Sequence, residues 1–218
     1  SGDQIATIDL TAADGITLQG DIVTSNAVAD TDVAFTGKVL IVGDVTIDTD
    51  SDDLAGTITF SSTIDSGAST GNLTILAGDS DANGGIDFEG IIGGTTALGT
   101  LNINATAGTV AITVPQIGTG NNDDGADAGK GAGATSIGNA ASGDITLSAT
   151  GVDTEYNFSG NTIFKSGGSI KFTAAAPKID TDGEGSTLDF EAGIVLADTA
   201  DLTLTTEDGA ITVAAISG

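Results

Sequence analysis

Apolar and polar residues alternate over short runs, and these runs fall into two types that return about every 25–28 residues. One type is G-x-I-x-F-x-G-x-I, around Phe35, Phe60 and Phe88; the other is G-[DN]-[LIV]-T-[LI], at Val45, Leu73 and Ile145. A period of two marks a half-buried strand, and no 3.6-residue helical period is sustained anywhere. Self-similarity at this spacing implies a unit that cannot bury its own apolar face and must stack on its neighbours. The stretch from Asp79 to Ile103 contains one whole unit. It has an acidic Gly-rich turn, a strand through Ile86 and Phe88, an apolar pair at Ile91 and Ile92, a small-residue turn, and a strand through Leu101 and Ile103. The predicted fold is therefore all-β: a parallel β-helix, or β-solenoid, of roughly eight coils, with residues 1–218 forming a single domain.

Composition suits a narrow, layered interior. Aromatic residues make up only 4% of the chain, with no Trp, so Ile, Val, Leu and a few Phe must fill the core. With 33 Gly against 2 Pro, turns are built from Gly, Asp and Asn rather than from Pro, and the irregular Gly spacing excludes collagen. Tandem β-sandwiches would also give many short alternating strands. The absent Trp, the absent Cys pair and the return of one strand motif count against them. Residues 118–143 break the repeat with Gly, Ala, Asn and Asp, and are expected to form an inserted loop, either passive or ordered by an ion.

The net charge is -26, from 31 acids against 5 Lys. Such a surface repels nucleic acid and anionic lipid and attracts divalent cations. No apolar run is long enough to span a bilayer as a helix. Asp79, Asp81, Asn83 and Gly84 form D-x-D-x-N-G, the first half of a calcium loop in which oxygens at positions 1, 3 and 5 converge on a hard cation. The bidentate Glu of the twelfth position is missing. Asp87 and Glu89 are the nearest carboxylates that could complete the set, and Glu89 falls one place short. An ordinary Asx–Gly turn accounts for the same residues. Further acid clusters lie at Asp48, Asp50, Asp52 and Asp53, at Asp123, Asp124 and Asp127, and at Asp180, Asp182 and Glu184. Each is a weaker calcium candidate, with a solvated turn as the alternative.

Without His or Cys, the familiar Ser-His-Asp and Cys-His centres and imidazole or thiolate zinc sites cannot be built. Carboxylate pairs such as Asp87/Glu89 and Asp189/Glu191 alternate with core residues, as outward strand positions do. The chain is therefore expected not to be an enzyme. Sequons for N-glycosylation occur at Asn72, Asn104 and Asn157.

The strings GNLTILAG, GGIDFEGIIGGTTALGTLNINA, GDVTID and GDITLSATG resemble the strand repeats of filamentous-haemagglutinin-like and autotransporter-passenger exoproteins. The likeness covers residues 15–114 well and 143–218 more loosely. It implies a right-handed parallel β-helix displayed outside the cell, in proteins that adhere or build surface structure. The expected role is an extracellular structural or adhesive segment, stabilised by cations such as Ca2+. The alternatives are a module that binds a glycan or host receptor and, further off, a carbohydrate-active β-helix. Both termini are repeat-like, and the chain starts at Ser1 rather than Met. A fragment of a longer solenoid, or a homopolymer stacked end to end, is accordingly expected.

Overall fold

A computed structural model describes residues 7–24, 31–49, 56–67, 70–77, 85–105, 110–119, 130–149 and 154–218. Within them the chain winds as a right-handed parallel β-helix with three faces. The first face stacks β1 (Thr7–Thr11), β4 (Asp32–Thr36), β7 (Ile58–Phe60), β10 (Ile86–Phe88), β12 (Ile112–Val114), β14 (Ile145–Leu147), β17 (Ser169–Phe172), β20 (Gly193–Leu196) and β23 (Ile216–Ser217). The second face holds β2 (Ile16–Leu18), β5 (Val39–Ile41) and β8 (Ile64–Ser66). It narrows to single bridges at Ile92 and Ile117, then widens again into β15 (Glu155–Phe158), β18 (Lys178–Thr181) and β21 (Thr203–Thr206). The third face runs through β3 (Ile22–Val23), β6 (Asp44–Asp48), β9 (Asn72–Ala77), β11 (Leu98–Ala105), β13 (Ala132–Ile137), β16 (Thr162–Phe164), β19 (Leu188–Phe190) and β22 (Ile211–Val213). Every pairing among the described residues is parallel and joins one coil to the next, which rules out tandem sandwiches built of antiparallel strands.

The register explains the repeat. On the first face Ile8, Val33, Ile58, Ile86, Ile112, Ile145, Ile170, Ile194 and Ile216 form one inward column. Beside it Leu10, Phe35, Phe60 and Phe88 form a second. Phe35 stacks on Phe60 with centroids 4.6 Å apart, and Phe60 on Phe88 at 5.2 Å. Phe164 stacks on Phe190 in the same way at 5.0 Å on the third face. A flat ring suits a column whose rungs are spaced by the strand separation of about 4.8 Å.

Residues 118–143 are not one loop. β13 lies inside them, with Ala132 and Ile137 buried in the core, and Ile137 is in register between Ile103 and Phe164. AGATSI has only one large apolar residue, so its strand character comes from neighbouring coils rather than from its own pattern. Residues 120–129 lie outside the described residues, and the backbones of Gly118 and Gly131 on either side of them meet: a Cβ added at Gly118 would lie 3.2 Å from the Cα of Gly131.

Candidate functional site

Short Asp and Asn side chains tie one coil to the next. The N–H of Thr46 donates to Asp21 Oδ1 at 2.8 Å, and that of Thr57 to Asp32 Oδ1 at 2.8 Å. Asp65 Oδ1 accepts from Thr95 and Thr96 (2.7 and 3.2 Å), Asn72 Oδ1 from Thr100 (2.8 Å) and Asn161 Oδ1 from Thr187 (3.0 Å). The N–H of Ser169 donates to Asp144 Oδ1 at 2.9 Å. At these corners the donors find a short Asx oxygen of the preceding coil instead of a ladder carbonyl.

Three of the five lysines, Lys165, Lys171 and Lys178, lie close together in sequence around two adjacent coils. Lys165 pairs with Glu191 and Lys171 with Asp144. Lys178 Nζ stands 3.9 Å from Glu155 and 3.8 Å from Asp180. Glu155, Asn157 and Asp180 are buried although they point away from the core columns, so this part of the second face is covered. Gly118 and Gly131 lie over Asn157: a Cβ at either would come within 2.9 Å or less of it. Tyr156 points inward, accepts the N–H of Ala149 at 2.9 Å, and burial raises its phenol pKa far above the usual value, so it stays protonated.

A shallow groove of about 450 Å³ runs along Ala140 to Asp144 and Gly167–Gly168. Asp144 is the charged group among these lining residues, and both of its oxygens are engaged.

Most of the sequence-predicted cation ligands fall outside the described residues. Asp79, Asp81, Asn83, Asp50, Asp52, Asp53, Asp123, Asp124 and Asp127 lie outside the described residues. Asp87 is exposed on β10 between Thr59 and Thr113, and Glu89 is exposed just beyond it. Asp48 is half-buried on β6. Asp180 faces Lys178, whereas Asp182 and Glu184 are exposed in the following turn. Among the described residues no group of three or more carboxylates is assembled to hold a metal. The sequons are committed to the fold: Asn157 is fully buried, Asn72 Nδ2 donates to Asp44 Oδ1 at 2.6 Å, and Asn104 accepts from Asn139.

Sequence reasoning missed the coil-to-coil role of Asp32, Asp65, Asp144 and Asn161. The readable signal was an Asx just ahead of an alternating run, as in Asp32-Val33 and Asp144-Ile145.

Asp144 makes this role testable. The hydrogen bond from Lys171 and that from the Ser169 N–H hold its carboxyl below the ordinary carboxylate range. A depressed folded pKa contributes stability that is full above the unfolded value of about 3.9 and is lost as pH falls through the folded one. Asp144→Asn keeps an acceptor for Ser169 but loses the charge. The variant is expected to be less stable than the parent near about pH 6 and to converge with it near about pH 2. Denaturant titrations at both pH values measure the gap; a gap independent of pH would mean that the carboxylate charge contributes nothing.

No protein-family model, curated protein or solved structure matches the chain.

Proposed function

We propose that this chain is a structural segment of an extracellular filament or large surface adhesin, working without catalytic turnover and continued end to end along the rod axis, either by further coils of a longer solenoid or by further copies of itself. The carrying observation is the state of the two end coils. Among the described residues, β1, β2 and β3 at one end and β21, β22 and β23 at the other each pair on one side only. Ile8, Leu10, Ile16 and Ile22, and at the far end Leu196, Leu202, Leu204 and Val213, are only partly buried, whereas the residues continuing these columns inside the rod are fully buried. Open edges of this kind are templates for another strand. The best complement to one end is the other, because the same inward columns run the length of the rod. The acidic surface and the strand-repeat resemblance support the placement outside the cell.

Such a junction is electrostatically opposed. Asp14 occupies the turn between β1 and β2, and Asp198 and Asp201 the matching turn between β20 and β21. Asp21 sits between β2 and β3, and Glu207 and Asp208 between β21 and β22. All six are exposed, so stacking sets acid on acid at two corners. Sedimentation and electron microscopy over a concentration series test the reading. Rods growing in steps of one chain are expected, and added salt should favour them by screening these corners. If calcium acts beyond sodium at matched ionic strength, a cation is bound rather than merely screening. Monodisperse monomers at high concentration in every condition would refute a filament of stacked copies and leave the segment of a longer solenoid standing.

A further inference from the structure

We infer that Lys178 and Asn157 join in an intramolecular isopeptide bond, with Glu155 and Asp180 carrying the protons, so that two consecutive coils become covalently tied. The inference stands apart from the end-to-end reading, because it concerns the second face inside the rod. Alternate residues of a strand share a face, so Lys178 and Asp180 project together from β18, as Glu155 and Asn157 do from β15. Register sets Glu155 beside Lys178 and Asn157 beside Asp180, while Tyr156 and Ile179 between them point into the core. The four outward side chains form a square with Lys178 and Asn157 on a diagonal. Diagonal neighbours of paired strands lie about 7–8 Å apart, within reach of a long side chain. Lys178 Nζ stands 3.9 Å from Glu155 Oε1 and 3.8 Å from Asp180 Oδ2, so the amine already leans toward the row that holds Asn157.

Outward side chains of a solenoid are ordinarily wet, and these are not. Asn157, Asp180 and Glu155 are buried, and the Lys178 side chain is 18% exposed against 40% for Lys165 and 45% for Lys171. Asn157 is held in place: its N–H donates to Ile117 O at 2.9 Å, and a Cβ at Gly118 would lie 3.0 Å from its Nδ2. An amine and an amide fixed side by side react as one molecule, without the entropy cost of meeting. Away from water an ion pair loses the hydration that keeps both partners charged, and its proton can pass to the carboxylate. The neutral amine that remains is a nucleophile. One carboxylate takes the first proton. Nζ then adds to Cγ of Asn157 and a C–N bond forms. The other carboxylate relays a second proton from Nζ to Nδ2, the Cγ–Nδ2 bond breaks, and ammonia leaves. Two protons have left the amine, one with ammonia and one on a carboxyl group. One amide replaces another, so no oxidant, reductant or co-reactant is needed.

The mass of the chain, folded and then denatured, tests the bond at isotope resolution. The parent is expected to be lighter than its sequence by one ammonia, about 17 Da. Digestion at lysine should leave Lys178 uncut and join the peptide that bears it to peptide 131–165, which bears Asn157. Asn157→Asp should lose one water, about 18 Da, in place of ammonia, and Lys178→Arg should keep its full mass. A parent of full mass would overturn the bond. So would a loss of ammonia that survives in Lys178→Arg, which would belong to a succinimide ring at an asparagine. Loss of water from the parent would put the bond on Glu155 or Asp180 and overturn the assignment to Asn157. The parent's own mass and digest decide the matter even where a variant fails to fold. Assembly into rods does not enter the measurement, so the end-to-end reading stands or falls separately.

Discussion

Phe60→Ala is expected to cost about 3–5 kcal/mol of folding stability. The ring is fully buried between Phe35 and Phe88, nearly parallel to both, with interplanar angles of 10° and 8°. Removing it takes away two stacking contacts and leaves a void bounded above and below by rings. The void cannot close easily, because Ile58, Thr59 and Phe60 are held in register with coils on both sides and their spacing is set by backbone hydrogen bonds. Denaturant unfolding of the variant measures the loss. A loss under about 1 kcal/mol would mean that the column collapses into the gap, contrary to the rigid spacing argued here.

Gly131→Ala should be comparably damaging for a different reason. Its φ is +99°, and a Cβ there would lie 2.2 Å from the carbonyl oxygen of Asn157, a backbone atom that cannot swing away. The same glycine donates its N–H to Gly93 O at 2.8 Å and accepts from Leu98, so it cannot retreat without breaking the corner. A left-handed residue other than Gly costs about 1–2 kcal/mol, and forced overpacking about 1–3 kcal/mol, giving an expected loss of about 2–5 kcal/mol. Gly43→Ala is the comparison: its φ is +82° but nothing lies within 4 Å of the added Cβ. It should lose only the conformational part, about 1–2 kcal/mol. Equal losses at the two positions would show that space is not what Gly131 provides.

The solenoid was legible because its core columns are written in large residues at a fixed interval. Phe35, Phe60 and Phe88 stand 25 and 28 residues apart and fall in register as the repeat demands. What escaped the sequence was written in small or polar residues. β13 has Ala132 and Thr135 where the preceding coil has Leu98 and Leu101, and its place is fixed by the strands on either side. The acids invite a reading as cation ligands because crowded carboxylates are conspicuous. The isolated Asp32, Asp65 and Asp144, each accepting backbone N–H groups one coil on, are the ones whose partners are clear. Distance along the chain between donor and acceptor is 25 residues for two of these and 30 for the third, so no local window contains both partners.

The parallel pairing also fixes how the rod would answer a pull. Coil-to-coil hydrogen bonds lie along the axis, so tension applied to the two ends loads one rung at a time rather than shearing many together. A rod pulled in this way peels rather than snaps. Each turn released from the first-face column frees as many residues as separate its inward positions, 25 between Val33 and Ile58. That is about 80–90 Å of extended chain gained for about 5 Å of rod given up. The turn from Ile112 to Ile145 is longer and would release the most. Built into a tether, such a coil is a spring of many short, independent yields, lengthening under load while the remaining turns stay folded.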